Sequence, residues 1–150
     1  MPADAIRLLV PHDYTAWEPL WQGYQTFYHV DLGPEVTSLT WQRFHDPAEP
    51  MFALGAFDGE TLVGFSHYLF HRTCWAIGPT CYLQDLFTAP AARGQGVGRA
   101  LIEAVAAAAR TAGAARLYWL THESNTTAMR LYDRVAVRSG FVQYRHNLTP

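Results

Sequence analysis

The sequence predicts an α/β fold: one domain, residues 1–150, with a mixed central sheet and helices on both of its faces. Two observations carry this. Apolar residues recur at helical spacing in some stretches and in short runs bounded by Gly, Pro and Asp in others. The elements so marked follow the order β-α-α-β-β-β-α-β-α-β, within a length that suits a single core.

A strand is expected at Ala5–Val10, ended by Pro11. Asp13 is an N-cap for a helix through about Tyr28, with Trp17, Leu20, Trp21, Tyr24 and Phe27 on its apolar face. Asp31-Leu-Gly-Pro34 reads as a break. Thr37 or Ser38 then caps a short helix ending near His45. Met51–Phe57 and Thr61–Arg72 read as strands joined at Asp58-Gly59, a hairpin dipeptide. Thr80–Thr88 is a further strand. An alanine-rich helix runs from about Gly96 to Thr111 and ends at Gly113. Arg116–Thr121 is an apolar strand, Asn125–Val137 a helix ended by Gly140, and Phe141–Leu148 a last strand.

Between the fourth strand and the alanine-rich helix the chain reads Arg93-Gly-Gln-Gly-Val-Gly-Arg99. Such a turn offers free backbone N–H groups, a helix dipole and a guanidinium to one anion. The dinucleotide fingerprint fails, because the sixth place counted from Gly94 is Arg99 and from Gly96 is Leu101. A phosphate loop of the NTPase kind fails because the chain contains no lysine. The pattern Arg-Gly-x-Gly-x-Gly/Ala resembles the acetyl-CoA loop of the GCN5-related N-acetyltransferase (GNAT) family. The resemblance assigns Arg93, Gly94, Gln95, Gly96, Val97, Gly98 and Arg99 to the CoA pyrophosphate. It also makes the backbone of Leu86, Phe87 and Thr88 a sheet-edge partner for the pantetheine arm.

A second constellation follows. Asn125, Ala128 and Tyr132 stand at relative positions 0, 3 and 7, one face of a helix. With Leu131 they resemble the GNAT motif Asn-x-x-Ala-x-x-Leu-Tyr. By that resemblance Asn125 contacts the pantetheine arm and Tyr132 protonates the departing thiolate, which suits a phenol of pKa about 10. Read alone, Asn125 is a helix cap and Tyr132 a core aromatic.

Tyr82-Leu-Gln-Asp-Leu-Phe87 places a polar pair inside an apolar strand. Alternation sends Gln84 and Asp85 to opposite faces unless a bulge intervenes. The segment resembles diamine acetyltransferases and a fungal histone and D-amino-acid acetyltransferase group, whose text is Tyr-Leu-Glu-Asp-Leu. Gln84 stands where they have glutamate, the usual base. Gln84 and Asp85 are both candidates to contact the substrate; Asp85, or ordered waters leading to another group, is the candidate proton relay, with His122 and Glu123 as further candidates. A backbone N–H, that of Leu86, is expected to polarise the thioester oxygen. Of the N-terminal aromatics and acids, Trp21, Tyr24, His29 and Glu35 among them, most read as core or surface. Tyr28 and Asp31 are candidates for the acceptor pocket, since aromatics with carboxylates hold cationic amines. His67 and His71, four apart, share one face of a strand, either a solvated face or a substrate-facing pair. No histidine set has clean ligand spacing, and no metal is expected.

A net charge of −2 gives no footprint for nucleic acid. No apolar run reaches the ~20 residues that span a bilayer, and no secretory signal is visible. Cys74 and Cys81 read as free thiols of a reducing compartment, hence a cytoplasmic location. The resemblance implies direct acetyl transfer from acetyl-CoA to the primary amine of a small molecule: a polyamine, an amino acid or a relative. Transfer to a protein lysine and non-catalytic acetyl-CoA binding are the alternatives. A homodimer is expected, because such folds often pair through C-terminal strands.

Overall fold

The computed structural model describes residues 5–150, so the first four residues of the expected domain lie outside it. The chain divides into two compact units after Leu120. The first contains β1 (Ala5–Leu8), α1 (Tyr14–Phe27), α2 (Gly33–Phe44), β2 (Met51–Asp58), β3 (Thr61–His71), β4 (Thr80–Thr88), α3 (Val97–Thr111) and β5 (Arg116–Tyr118). The second, Thr121–Pro150, contains α4 (Thr126–Val135). The sheet order is β1-β2-β3-β4-β5, antiparallel throughout except for the parallel β4–β5 pair. The predicted α/β class with a mixed sheet holds.

Three expectations are corrected. The final strand at Phe141–Leu148 is absent. Alternating apolarity does not make a strand without a ladder partner, and Phe141, Val142, Tyr144 and Leu148 are exposed. The break expected at Asp31–Pro34 falls earlier, at 28–32, and Gly33 and Pro34 already belong to α2. Pro34 occupies the first turn, where no N–H is needed, and Asp31 Oδ1 accepts from Gly33 N at 3.0 Å. Thr37, expected as a cap, is consequently a buried residue within that helix. Asp13 stands at the N-cap of α1 without capping it. Its Oδ2 accepts from Val10 N (2.7 Å), and its two oxygens accept from Arg7 at 2.7 and 3.1 Å. These bonds, Arg7's first, pull its carboxyl below the usual carboxylate range.

Alternation along β3 divides the core. Phe65 and His67 face α1, packing against Trp21 and, for His67, also Trp17. Gly64 faces α3: a Cβ there would lie 3.0 Å from Val97 Cγ1 and 3.3 Å from Leu101 Cδ1. On the α1 side Trp17, Trp21, Trp41, Phe65 and Phe87 are buried together. On the other, α3 buries Val97, Leu101, Ile102, Val105 and Ala109. Truncating one of the buried tryptophans to alanine would cost about 3–5 kcal/mol.

Candidate active site

The glycine turn leaves β4 through a short 3-10 turn, Pro90–Ala92, and enters α3. Gly94 and Gly96 have φ of 77° and 84°, and Gly96 is the residue before the helix. Left-handed backbone explains both glycines; a Cβ at either position would touch nothing within 4 Å. The turn aims the first N–H groups of α3, from Val97 to Arg99, away from the helix body. Arg93 folds back over β4. Its Nε donates to Thr88 O at 3.1 Å and its guanidinium lies 5.5 Å from the Phe87 ring centre. Arg99 instead pairs with Glu103 at 3.0 Å, one turn on. Gln95 is half-buried.

Two irregularities of β4 shape what lies upstream of the turn. First, β5 pairs only with Thr80–Tyr82, through Arg116–Tyr118. From Leu83 to Thr88, β4 has no ladder partner on that side among the described residues, whereas its other edge is paired with β3. The expected strand to Thr121 is thus shortened to Tyr118. Second, consecutive β3 residues His67 and Tyr68 pair with Asp85 and Leu83. Gln84 is the extra residue of a bulge. Cross-strand partners share a face, so Asp85 lies on the face of His67 while Leu83 lies on the opposite one. Gln84 is exposed.

Asp85 is the centre of a buried polar chain. Its Oδ2 is 2.9 Å from His67 Nδ1, and His67 Nε2 is 2.9 Å from Trp17 Nε1. Tyr24 adjoins the same carboxylate. Burial, reinforced by the charge of Asp85 and a hydrogen bond to it, pushes the Tyr24 phenol far above its ordinary value. Tyr28 is raised too, by burial and then by Asp85. The rings of Trp21, Tyr24 and Tyr28 follow one another at 5.3 and 4.9 Å along α1. Helical spacing therefore lines up a carboxylate with two protonated phenols and an aromatic wall, the chemistry that holds an ammonium.

Of the acceptor-pocket candidates, Tyr28 packs beside Tyr24 and its phenol is raised by burial and by the Asp85 charge, while Asp31 is exposed and engaged at the start of α2. His71 is exposed, near Tyr118 Oη at 3.1 Å, whereas His67 is buried. Spacing alone could not separate them; the signal was a histidine at mid-strand opposite Asp85, below a helix face bearing Trp17. In the second unit Asn125 precedes α4, its Nδ2 donating to Thr121 Oγ1 at 3.3 Å, and Tyr132 lies within the helix. His122 pairs with Ser124 (2.6 Å), and Glu123 is exposed. Among the described residues no three His, Cys, Asp or Glu side chains gather as a metal site, and no helix is long and apolar enough to cross a membrane.

A family model described as "Acetyltransferase (GNAT) family" matches residues 16–136. The chain is 40% identical over 144 residues to the D-amino-acid N-acetyltransferase HPA3 of Saccharomyces cerevisiae, covering 95% of this chain and 89% of that protein. It is 36% identical over 91 residues to the thialysine N-epsilon-acetyltransferase of Bos taurus, covering 61% of this chain and 53% of that protein. The chain thus spans about half the length of the bovine relative. In fold it resembles a crystal structure of a probable acetyltransferase, with a TM-score of 0.86 at 22% identity over 97% of this chain and 99% of the other. The family model over residues 16–136 and the 40% identical relative show that the chain belongs to the GNAT family of acetyltransferases and is an acyltransferase enzyme.

Proposed function

We propose that residues 1–150 form one acetyltransferase domain that moves the acetyl group of acetyl-CoA directly to the primary amine of a small molecule. One observation carries the reading: β4 alone supplies three parts of a transfer site in succession. The Asp85 carboxylate raises the phenols of Tyr24 and Tyr28, the edge of Leu86–Thr88 lacks a β5 partner, and the strand leads into Arg93 and the glycine turn. The free edge suits an extended, amide-bearing ligand that adds like a strand. The turn and Arg93 suit a pyrophosphate.

In this reading the amine nitrogen attacks the thioester carbon. The C–N bond forms, the C–S bond breaks, and the acetylated amine leaves together with the CoA thiol. Asp85 holds the acceptor ammonium and takes the proton whose loss frees the nitrogen lone pair for attack, the role that Gln84 has no basic group to fill; the second proton, lost from nitrogen after attack, restores the phenol of Tyr132. The N–H of Leu86 polarises the carbonyl oxygen. Asn125 holds the pantetheine arm and Tyr132 gives its proton to sulfur; both roles rest on the Asn-x-x-Ala-x-x-Leu-Tyr motif. The names of the two relatives, a D-amino-acid and a thialysine acetyltransferase, support a small amine acceptor. Pairing of two copies through residues 136–150 is supported by the exposed Phe141, Val142 and Tyr144, and a cytoplasmic location by the free thiols Cys74 and Cys81.

The test is release of free thiol from acetyl-CoA across D- and L-amino acids, thialysine, polyamines and a histone-type peptide, with the product identified by mass. Turnover with a small amine supports the proposal. Turnover with the peptide alone would reverse the acceptor class, and CoA binding with no thiol released from any acceptor would leave only a binding module.

A further inference from the structure

We infer that Trp17 and His67 are positioning residues that fix the direction and hydrogen-bonding state of the Asp85 carboxylate; this deepens, and rests on, the reading of Asp85 as the group that meets the acceptor amine. An indole N–H can only donate. Trp17 Nε1, 2.9 Å from His67 Nε2, therefore requires a lone pair on Nε2 and leaves the ring hydrogen on Nδ1. That hydrogen points at Asp85 Oδ2, 2.9 Å away. The two contacts demand the same tautomer. A ring carrying its hydrogen on Nε2 would set donor against donor at Trp17 and a lone pair against an anion at Asp85. The chain Trp17 → His67 → Asp85 thus runs in one direction, and the carboxylate is its only terminus.

The surroundings hold this arrangement still. His67 is 4% exposed. The rings of Phe65, Phe44, Trp21 and Trp17 stand 4.5, 4.6, 5.1 and 5.8 Å from it, from β3, α2 and α1. Such a space would suit an apolar ring, and a polar one buried there is costly unless both its nitrogens are satisfied. Here they are satisfied by one donor from the core and one acceptor at the site. Asp85 Oδ2 is consequently pinned from below by the His67 N–H. The carboxylate keeps acceptor capacity for an ammonium, whose place is set relative to β4 before any ligand arrives.

Two substitutions separate positioning from packing. His67→Phe preserves the aromatic volume and removes the N–H; His67→Asn fills the space worse but restores an N–H where Nδ1 stood. Positioning predicts that His67→Phe lowers kcat/KM for the amine roughly ten- to a hundredfold, leaves KM for acetyl-CoA unchanged, and is outperformed by His67→Asn. A packing role predicts the reverse order and would overturn the inference. Ring-nitrogen NMR of the full chain reads the tautomer without turnover. The signal lost in His67→Asn should carry hydrogen on Nδ1, and in Trp17→Phe, where Asp85 alone still demands it, the hydrogen should stay on Nδ1 while the Nε2 resonance shifts with the loss of its donor. Hydrogen on Nε2 in the unsubstituted chain would overturn the inference. If no amine releases thiol, the functional reading fails while this spectrum still decides the tautomer.

Discussion

Gly64 on β3 lies against the backbone carbonyl of Phe87 on β4, so that a Cβ at Gly64 would stand 2.9 Å from that oxygen. The same Cβ would meet Val97 at the start of α3. The absence of a side chain is what seats the helix carrying the glycine turn on the sheet. Gly64→Ala is expected to cost about 1–3 kcal/mol as overpacking, lowering Tm by roughly 3–10 °C. KM for acetyl-CoA should rise with it, because α3 must shift; thermal denaturation and steady-state kinetics check the two effects together.

The two arginines of the turn should differ. Arg93 spends one nitrogen on Thr88 O and keeps its guanidinium over Phe87, while Arg99 is tied to Glu103. Loss of a charged hydrogen bond costs about 1.5–3 kcal/mol. Arg93→Ala should therefore raise KM for acetyl-CoA about ten- to a hundredfold, with kcat little changed. Arg99→Ala should have a smaller effect. Equal effects would show that the turn binds through its backbone and net charge alone.

Tyr132→Phe removes one oxygen from α4. If the phenol gives its proton to sulfur, kcat should fall roughly 10²- to 10⁴-fold while the affinity for CoA, measured by calorimetry, stays the same. An unchanged kcat would remove Tyr132 from the mechanism.

The Arg7–Asp13 pair makes a prediction about pH and stability. Asp13 is held below the usual carboxylate range in the folded chain, chiefly by its hydrogen bonds from Arg7. A depressed native value stabilises the fold above the unfolded value of about 3.9 and ceases to do so as pH falls through the native one. Asp13→Asn should lose about 1–3 kcal/mol at neutral pH, and its Tm deficit should begin to narrow only as pH falls below about 4. Parallel melting curves from pH 7 to pH 3 measure the gap.

Much of this was legible in the residues because it is local. The β2–β3 hairpin, the Thr80–Thr88 strand and the glycine turn are each specified by neighbours in the chain, and all three form, the hairpin with its loop one place on, at Gly59-Glu60. What was illegible depended on partners far away. Phe141–Leu148 alternates like a strand but has no ladder. Pro34 opens a helix instead of preceding one. The role of His67 is set by Trp17, fifty positions earlier, and by Asp85, eighteen later. Gln84 was visible as a departure from the glutamate pattern, and the possibility of a bulge with it; only the β3 register shows that the bulge is there.

That extra residue gives the sheet a reading frame. Upstream of Gln84, β4 is counted in one phase and downstream in the other; Leu83 and Asp85 point apart although they are two positions from each other. A chain lacking Gln84 alone would keep every side chain named in the acceptor site. Splicing Leu83 to Asp85 would make them neighbours on a regular ladder, so alternation would still turn them to opposite faces and the pairs Tyr68–Leu83 and His67–Asp85 could both stand. What the residue that cannot act as a base adds is the bend and extra twist of a bulge, set directly beside the carboxylate.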